Sequence, residues 1–386
     1  MMKTSSDLRA NGRTFRLPCI ALLALCATMA RADNGVTDTA IVIGQSAAFS
    51  GPAQQLGKDM NLGAKTYFQM VNDRGGVLGR KIELRTKDDG YEAARAAQNT
   101  HEFIEQDKVF ALFGYVGTPT SNAALPIFTQ AKVPFMGPLT GADSLRQPFN
   151  RYVFNIRASY FDETERIIEQ LVTTGITNIA VFYQNDAYGK AGLEGVTRAM
   201  TKRNLKIAST ATVERNSSDV TAAIQTLSKT DPAAIVQISA YASCAALIRG
   251  MKKTGYTGQF FNVSFVGSKA LADTLDQDGR GVVISQVMPF PFSKVLAIQR
   301  EYAQAMGGTA GSVNFGTMEG FIAAKVFTEA LRRAGKDPTR EKLIAAFESM
   351  RDYDVGGFAI NFTPSNHSGS KFVELTMIGS NGEFLK

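Results

Sequence analysis

Thr118 and Thr140 are the side chains through which this chain could hold a small anion. Each stands at the end of an apolar run and a glycine-bearing turn. Residues 109–113 are apolar and β-favouring over the length of a strand. Gly114-Tyr115-Val116-Gly117 then turns the chain. Thr118 sits where a helix N-cap belongs, Pro119 at the first helical position, and a helix is expected over 120–130. The pattern repeats in brief as a strand over 133–136, the turn Gly137-Pro138-Leu139-Thr140-Gly141, and a helical or turn segment over 143–146. Glycines let a backbone pass close to a ligand. A helix N-terminus, with free amides and the positive end of the dipole, favours a carboxylate. In a parallel sheet such turns lie at the carboxyl ends of the strands, where open α/β sheets bind ligands. The competing reading makes the two threonines a cap and a turn residue only, since every helix needs its first amides satisfied.

Other chemistries lack their residues. The two histidines, His101 and His367, stand in polar contexts, which predicts surface positions rather than metal binding or acid–base work. No HExxH, CxxC, P-loop or GxSxG pattern occurs. Asp88 and Asp89 close a strand, where adjacent side chains face opposite ways, so turn and cap roles are expected rather than a converging pair. Nothing supplies a nucleophile with a base. No enzyme activity, metal or cofactor is expected, and the class that remains is a protein that closes on a small molecule.

The elements that must position the threonines alternate strand and helix. After a short strand at 41–44 and a loop over 45–57 come a helix at 58–73, a strand at 81–86 and a helix at 91–106. A second block repeats this grammar from 161 to 286, and the rest, from 294, is mainly helical with strands near 357–362 and 371–378. Repeated βαβ units imply parallel sheets with helices on both faces, here in two lobes. The first 32 residues read as an export signal: Lys3, Arg9, Arg13 and Arg16, an apolar run over 17–29, and Ala30-Arg31-Ala32 as the cleavage site. Its removal takes five of 42 Lys+Arg and one of 35 Asp+Glu, leaving 37 against 34, or +3, with no nucleic-acid footprint. It also removes Cys19 and Cys26, so Cys244 remains alone and is expected as a buried structural thiol.

Over almost its whole mature length the sequence resembles the type I periplasmic binding proteins of the leucine/isoleucine/valine-binding family. The resemblance runs through Ile41-Val42-Ile43-Gly44, Ser50-Gly51-Pro52, Gly75-Gly76-Val77-Leu78-Gly79, Asp88-Asp89, Gly117-Thr118-Pro119-Thr120-Ser121, Val133-Pro134-Phe135 and Asp186-Ala187-Tyr188-Gly189. It implies an α/β fold of two flavodoxin-like lobes joined by three hinge crossings, near 157–159, 287–291 and 354–362. Lobe 1 would comprise 39–158 plus 289–354, and lobe 2 would comprise 159–288 plus 355–386. It further implies a monomer that delivers a small carboxylate to an ABC permease in the inner membrane, or that signals its capture to a membrane receptor. By the same resemblance the ligand carboxylate is gripped at Thr118 and Pro119 and at Leu139-Thr140-Gly141. Tyr188 and Tyr241 would close over it, and Leu56 would stand where relatives place an aromatic residue. The family's ammonium-binding glutamate is replaced by Ser264, so either the ligand lacks an amine or Glu319 takes that role. Glu319 has a plainer reading as charge complementarity near a helix N-terminus. With Phe265 and Phe315, the tyrosines would make a pocket suited to a flat or apolar body.

Overall fold

The computed structural model describes residues 35–307 and 312–386. The signal segment, its two cysteines and the cleavage point after Ala32 lie outside the described residues.

The elements follow the alternation expected from the sequence. They are β1 (Ala40–Ala47), α1 (Gln54–Asp73), β2 (Lys81–Asp88), α2 (Ala93–Glu105), β3 (Ala111–Phe113), α3 (Thr118–Gln130), β4 (Phe135–Met136) and β5 (Val153–Phe154). Next come α4 (Tyr160–Thr173), β6 (Ile179–Gln184), α5 (Ala187–Thr201), β7 (Thr210–Val213), α6 (Thr221–Ser228), β8 (Ala234–Ile238), α7 (Tyr241–Lys253), β9 (Gln259–Asn262), α8 (Ser268–Leu275) and β10 (Val283–Gln286). The chain ends with α9 (Ala297–Ala305), α10 (Phe315–Ala334), α11 (Arg340–Glu348), β11 (Tyr353–Asp354), β12 (Ala359–Ile360), β13 (Glu374–Ile378) and β14 (Phe384–Leu385).

Five parallel strands form the first sheet in the order β2-β1-β3-β4-β5. Every residue of β1 is buried, as a strand covered by helices on both faces requires. The second sheet repeats that order in β7-β6-β8-β9-β10 and then adds β13 antiparallel to β10 and β14 antiparallel to β13. It is therefore mixed rather than purely parallel: β13 doubles back on β10, and β14 folds back on β13 as the closing edge. In both sheets the strand order reverses beside the first strand, the crevice where such folds place ligands. The larger core fills the first sheet and runs on against α4 and the β6–β8 strands, while a smaller one lies between the second sheet and α6–α8.

Two local expectations change, and that for Cys244 holds. Helix α1 begins at Gln54, four residues before its periodicity suggests, because Asp88 accepts the amides of Phe49 and Ser50 at 2.8 and 3.2 Å and pins the loop that feeds it. His367 is buried rather than on the surface. Its ring stacks on Phe154 at 3.8 Å, with Nδ1 3.0 Å from the Val153 carbonyl. The polar neighbours that suggested exposure belong to a loop pairing with Asn155, so the ring is carried under it. Cys244 is buried, with Sγ 3.4 Å from the Ser239 carbonyl.

Candidate ligand-binding site

The N-cap of α3 is Gly117, not Thr118. Gly117 adopts φ 104°, and a Cβ there would stand 2.2 Å from the Tyr91 ring, so only glycine fits. Thr118 becomes the first helical residue and buried Pro119 the second. This correction frees the Thr118 hydroxyl from capping. Its Oγ1 lies 2.6 Å from Thr140 Oγ1. The turns after β3 and β4 bridge at Val116 and Leu139, which brings the two hydroxyls together. Thr140 Oγ1 also lies 3.3 Å from Tyr160 Oη and accepts the Ala142 amide at 3.2 Å. Gly141 accepts the Tyr160 amide at 2.7 Å and so sets the start of α4 against this turn. Pro119 carries no N–H, and the first intrahelical bond is that of the Ser121 amide to the Gly117 carbonyl at 3.1 Å, so the Thr118 and Thr120 amides complete an anion-favouring end.

Aromatic rings face these hydroxyls. Tyr160 and Tyr188 lie 5.3 Å apart, Tyr188 and Phe265 4.5 Å, and Phe265 and Tyr91 5.9 Å. Tyr188 is held at the start of α5 by Asp186, which accepts its amide at 2.9 Å. The Tyr188 hydroxyl is buried without a hydrogen-bond partner, and desolvation raises its pKa well above the usual range. Tyr91 reaches across from the loop after β2, where Asp89 holds its amide at 2.8 Å, and its hydroxyl accepts from Gln184 Nε2 at 3.2 Å. Tyr241 is half-buried, and burial raises its pKa while the nearby Gln55 backbone amide opposes that rise. Leu56 packs beneath it against Gly267. Phe315 packs against Phe290 and Phe384 at the outer end of the cleft.

A cavity of about 30 Å³ adjoins this cluster, lined among others by Leu56, Leu139, Arg157, Ser264, Phe315 and Glu319. Glu319 lies in the second turn of α10, not the first, so its charge does not serve the helix end. Its Oε1 is 3.4 Å from Arg157 Nε, both side chains being buried. Ser264 does not stand alone. Its amide and hydroxyl donate to Glu163 at 2.7 and 3.1 Å, and Ser285 donates to the same carboxylate at 2.6 Å. Arg157 Nη2 donates in turn to Ser264 Oγ. Burial raises the pKa of both Glu163 and Glu319, and Arg157 opposes that rise. Arg146 braces the group by donating to the Arg157 carbonyl at 3.0 Å, and burial beside Arg157 lowers its own pKa to about 10.

The structure thus groups Thr118, Thr140, Gly141 and Tyr188 on one side, with Leu56, Leu139, Ser264 and Glu319 around the adjoining cavity. Tyr241 lies beside Leu56. Sequence reasoning passed over Tyr91, Tyr160, Glu163 and the side chain of Arg157. One signal for Arg157 was available: a lone cation in Asn155-Ile156-Arg157-Ala158, directly after a strand.

Two α/β lobes with paired hydroxyls at the strand ends of one and aromatic rings from the other define a solute-binding protein. The model of the periplasmic binding protein family matches residues 40–383, and the chain belongs to that family. A possible leucine/isoleucine/valine-binding protein from Rhodopirellula baltica SH 1 is similar at 33% identity, covering 90% of this chain and 97% of its own, with a TM-score of 0.86. A substrate-binding periplasmic protein from Ralstonia solanacearum is similar at 35% identity, covering 89% of this chain and 99% of its own, with a TM-score of 0.84. The Leu/Ile/Val-binding protein homolog 7 of Brucella abortus (strain 2308) is 22% identical over 371 residues, 90% of this chain and 91% of that protein. The protein is therefore a periplasmic solute-binding protein of the Leu/Ile/Val-binding type and not an enzyme.

Proposed function

We propose that the protein captures a small carboxylate, amino acid-like or aromatic or aliphatic, as the monomeric binding component of an ABC importer, and delivers it to the inner-membrane permease. The observation that carries this reading is the Thr118–Thr140 pair at 2.6 Å, buried at the N-terminus of a helix that neither hydroxyl caps. Two hydroxyls stand there beside the Thr118 and Thr120 amides of the helix's first turn, donors of the kind a carboxylate takes. The backbone at Pro119, Leu139 and Gly141 shapes the seat, while Tyr188 and Tyr241 cover it and Leu56, Ser264 and Glu319 line its far side.

In this reading lobe 1 is 39–158 plus 289–354, lobe 2 is 159–288 plus 355–386, and the hinges lie near 157–159, 287–291 and 354–362. The signal 1–32 is cleaved after Ala32. A ligand touching both lobes favours the closed form by its differential affinity. A thermal-shift screen across amino acids and aromatic and aliphatic acids tests the reading, because a bound ligand raises stability by mass action. Hits confined to neutral or cationic solutes would overturn it.

A further inference from the structure

We infer that the site has a second anion seat at Arg157 and that its ligand is a dicarboxylate. This rests on the carboxylate reading above and extends it. Arg157 is 2% exposed and lines the cavity, yet its Nε and Nη1 make no hydrogen bond. A buried guanidinium offers five donors in a planar fork suited to a carboxylate. Here only Nη2 is engaged, by Ser264. Glu319, at 3.4 Å from Nε, neutralises the charge without closing the fork.

The geometry around Arg157 weighs against the family's usual alternative. The acid nearest Ser264 is Glu163, and its oxygens are taken by the Ser264 amide and hydroxyl and by Ser285. The other acid, Glu319, is paired with Arg157. Glu163 is not left to face an ammonium, and Glu319 would face one only by giving up its pairing with Arg157 at 3.4 Å. What the cavity offers is unused N–H groups, and these call for an acceptor. The first seat, at Thr118 and Thr140, is built from different groups on the neighbouring turn. Leu139 lies between, adjacent in sequence to Thr140 and lining the cavity with Arg157. A ligand with a carboxylate at each end and an apolar body between would satisfy both seats, displacing Glu319 from the guanidinium.

The test is calorimetry with matched pairs of acids: glutarate against butyrate, adipate against hexanoate, terephthalate against benzoate. At least one dicarboxylate is expected to bind about tenfold to a hundredfold more tightly than its partner. Arg157→Gln should remove that advantage. Arg157→Lys, which keeps the buried charge should the glutamine variant fail to fold, should reduce it. Glu319→Gln, which removes the competing anion, should tighten dicarboxylate binding. Equal affinities within every pair, with Arg157→Gln weakening both members, would mean that Arg157 shares a single carboxylate; the proposal then falls and carboxylate capture stands. Tight binding of an α-amino acid that is lost in Glu319→Gln would overturn the second seat in favour of an ammonium site. Binding of neither class of acid would overturn this proposal and the function proposed above together.

Discussion

Thr118 Oγ1 and Thr140 Oγ1 approach to 2.6 Å although 22 residues separate them in the chain. They meet because the turns after β3 and β4 bridge at Val116 and Leu139. Since Gly117 caps α3, Thr118 owes its place to this pairing rather than to the helix. Thr118→Val removes this buried bond while Thr140 keeps Tyr160 and the Ala142 amide, so it should cost about 0.5–1.5 kcal/mol and lower the melting temperature modestly without unfolding the protein. It should weaken carboxylate binding by about 1.5–3 kcal/mol, or about tenfold to a hundredfold. Calorimetry on the best ligand of the acid panel decides it: equal affinity would reduce Thr118 to a packing residue.

The rim of the cleft is clasped by a group that touches no proposed ligand. Arg215 Nη2 donates to Glu92 at 2.8 Å, and Asn216 Nδ2 donates to Glu92 at 2.7 Å and to the Gly90 carbonyl at 3.1 Å. Glu92 and Gly90 follow β2 of the first sheet, while Arg215 and Asn216 follow β7 of the second. The pair is partly exposed, so about 0.2–1 kcal/mol is its expected worth, a change in affinity of at most about fivefold. Arg215→Ala should raise the ligand off-rate by that factor and shift small-angle scattering towards a more open form. The effect should shrink in high salt, where the clasp is screened in the wild type too. An unchanged off-rate at low salt would remove the clasp from the closing motion.

The fold was legible because its signals are local and repeated. Apolar runs of strand length with glycine turns and intervening helices mark most βαβ units, and most of those boundaries held to within a few residues, the starts of α1 and β7 being four residues off and α8 going unread. The antiparallel β13 was not legible, since an edge strand shows which residues are β-favouring and not which neighbour it pairs with or in which direction. At the site, the threonines and Tyr188 announced themselves through turn chemistry, while Arg157 and Glu163 did not. Their meaning comes from contacts such as Glu163 with Ser264 across 101 residues, which no local pattern encodes. The same limit explains His367, whose polar neighbours were visible and whose stacking partner Phe154 was not.

Helices α1 and α10 cross so closely that a Cβ at Gly320 would stand 2.2 Å from the Met60 carbonyl oxygen. The facing Gly63 would bring a Cβ to 1.9 Å from the Thr317 oxygen. The obstacles are backbone atoms of the opposing helix, so relief requires the helices to separate. Gly320→Ala gains up to about 1 kcal/mol of helix propensity but costs about 1–3 kcal/mol or more of overpacking. The net change should be destabilising. Because Glu319 adjoins the crossing and Leu56 and Asp59 stand on α1 beside the cavity, ligand affinity should fall as well. Thermal unfolding and calorimetry on one preparation check both; an unchanged melting temperature would show that the crossing has slack.

His367 gives stability a pH dependence whose sign follows from burial. Desolvation pushes its pKa down to about 4, outweighing the Val153 carbonyl at 3.0 Å, which favours the charged ring. Glu348 lies 3.3 Å from Nε2, but burial raises its own pKa, so it is a weak counter-ion. Above pH ~6.5, the ordinary histidine value, the ring is neutral in both folded and unfolded chains and costs nothing. As the pH falls towards 4 the unfolded chain takes up a proton that the folded one refuses, and stability is lost across that window. The full difference corresponds to about 3 kcal/mol at most. His367→Gln removes this titration while leaving Glu348 in place. Denaturant unfolding of both proteins between pH 7 and pH 4 should therefore show the wild type losing stability faster by an amount approaching that figure. Parallel curves would mean that the folded state protonates His367 as readily as the unfolded chain does.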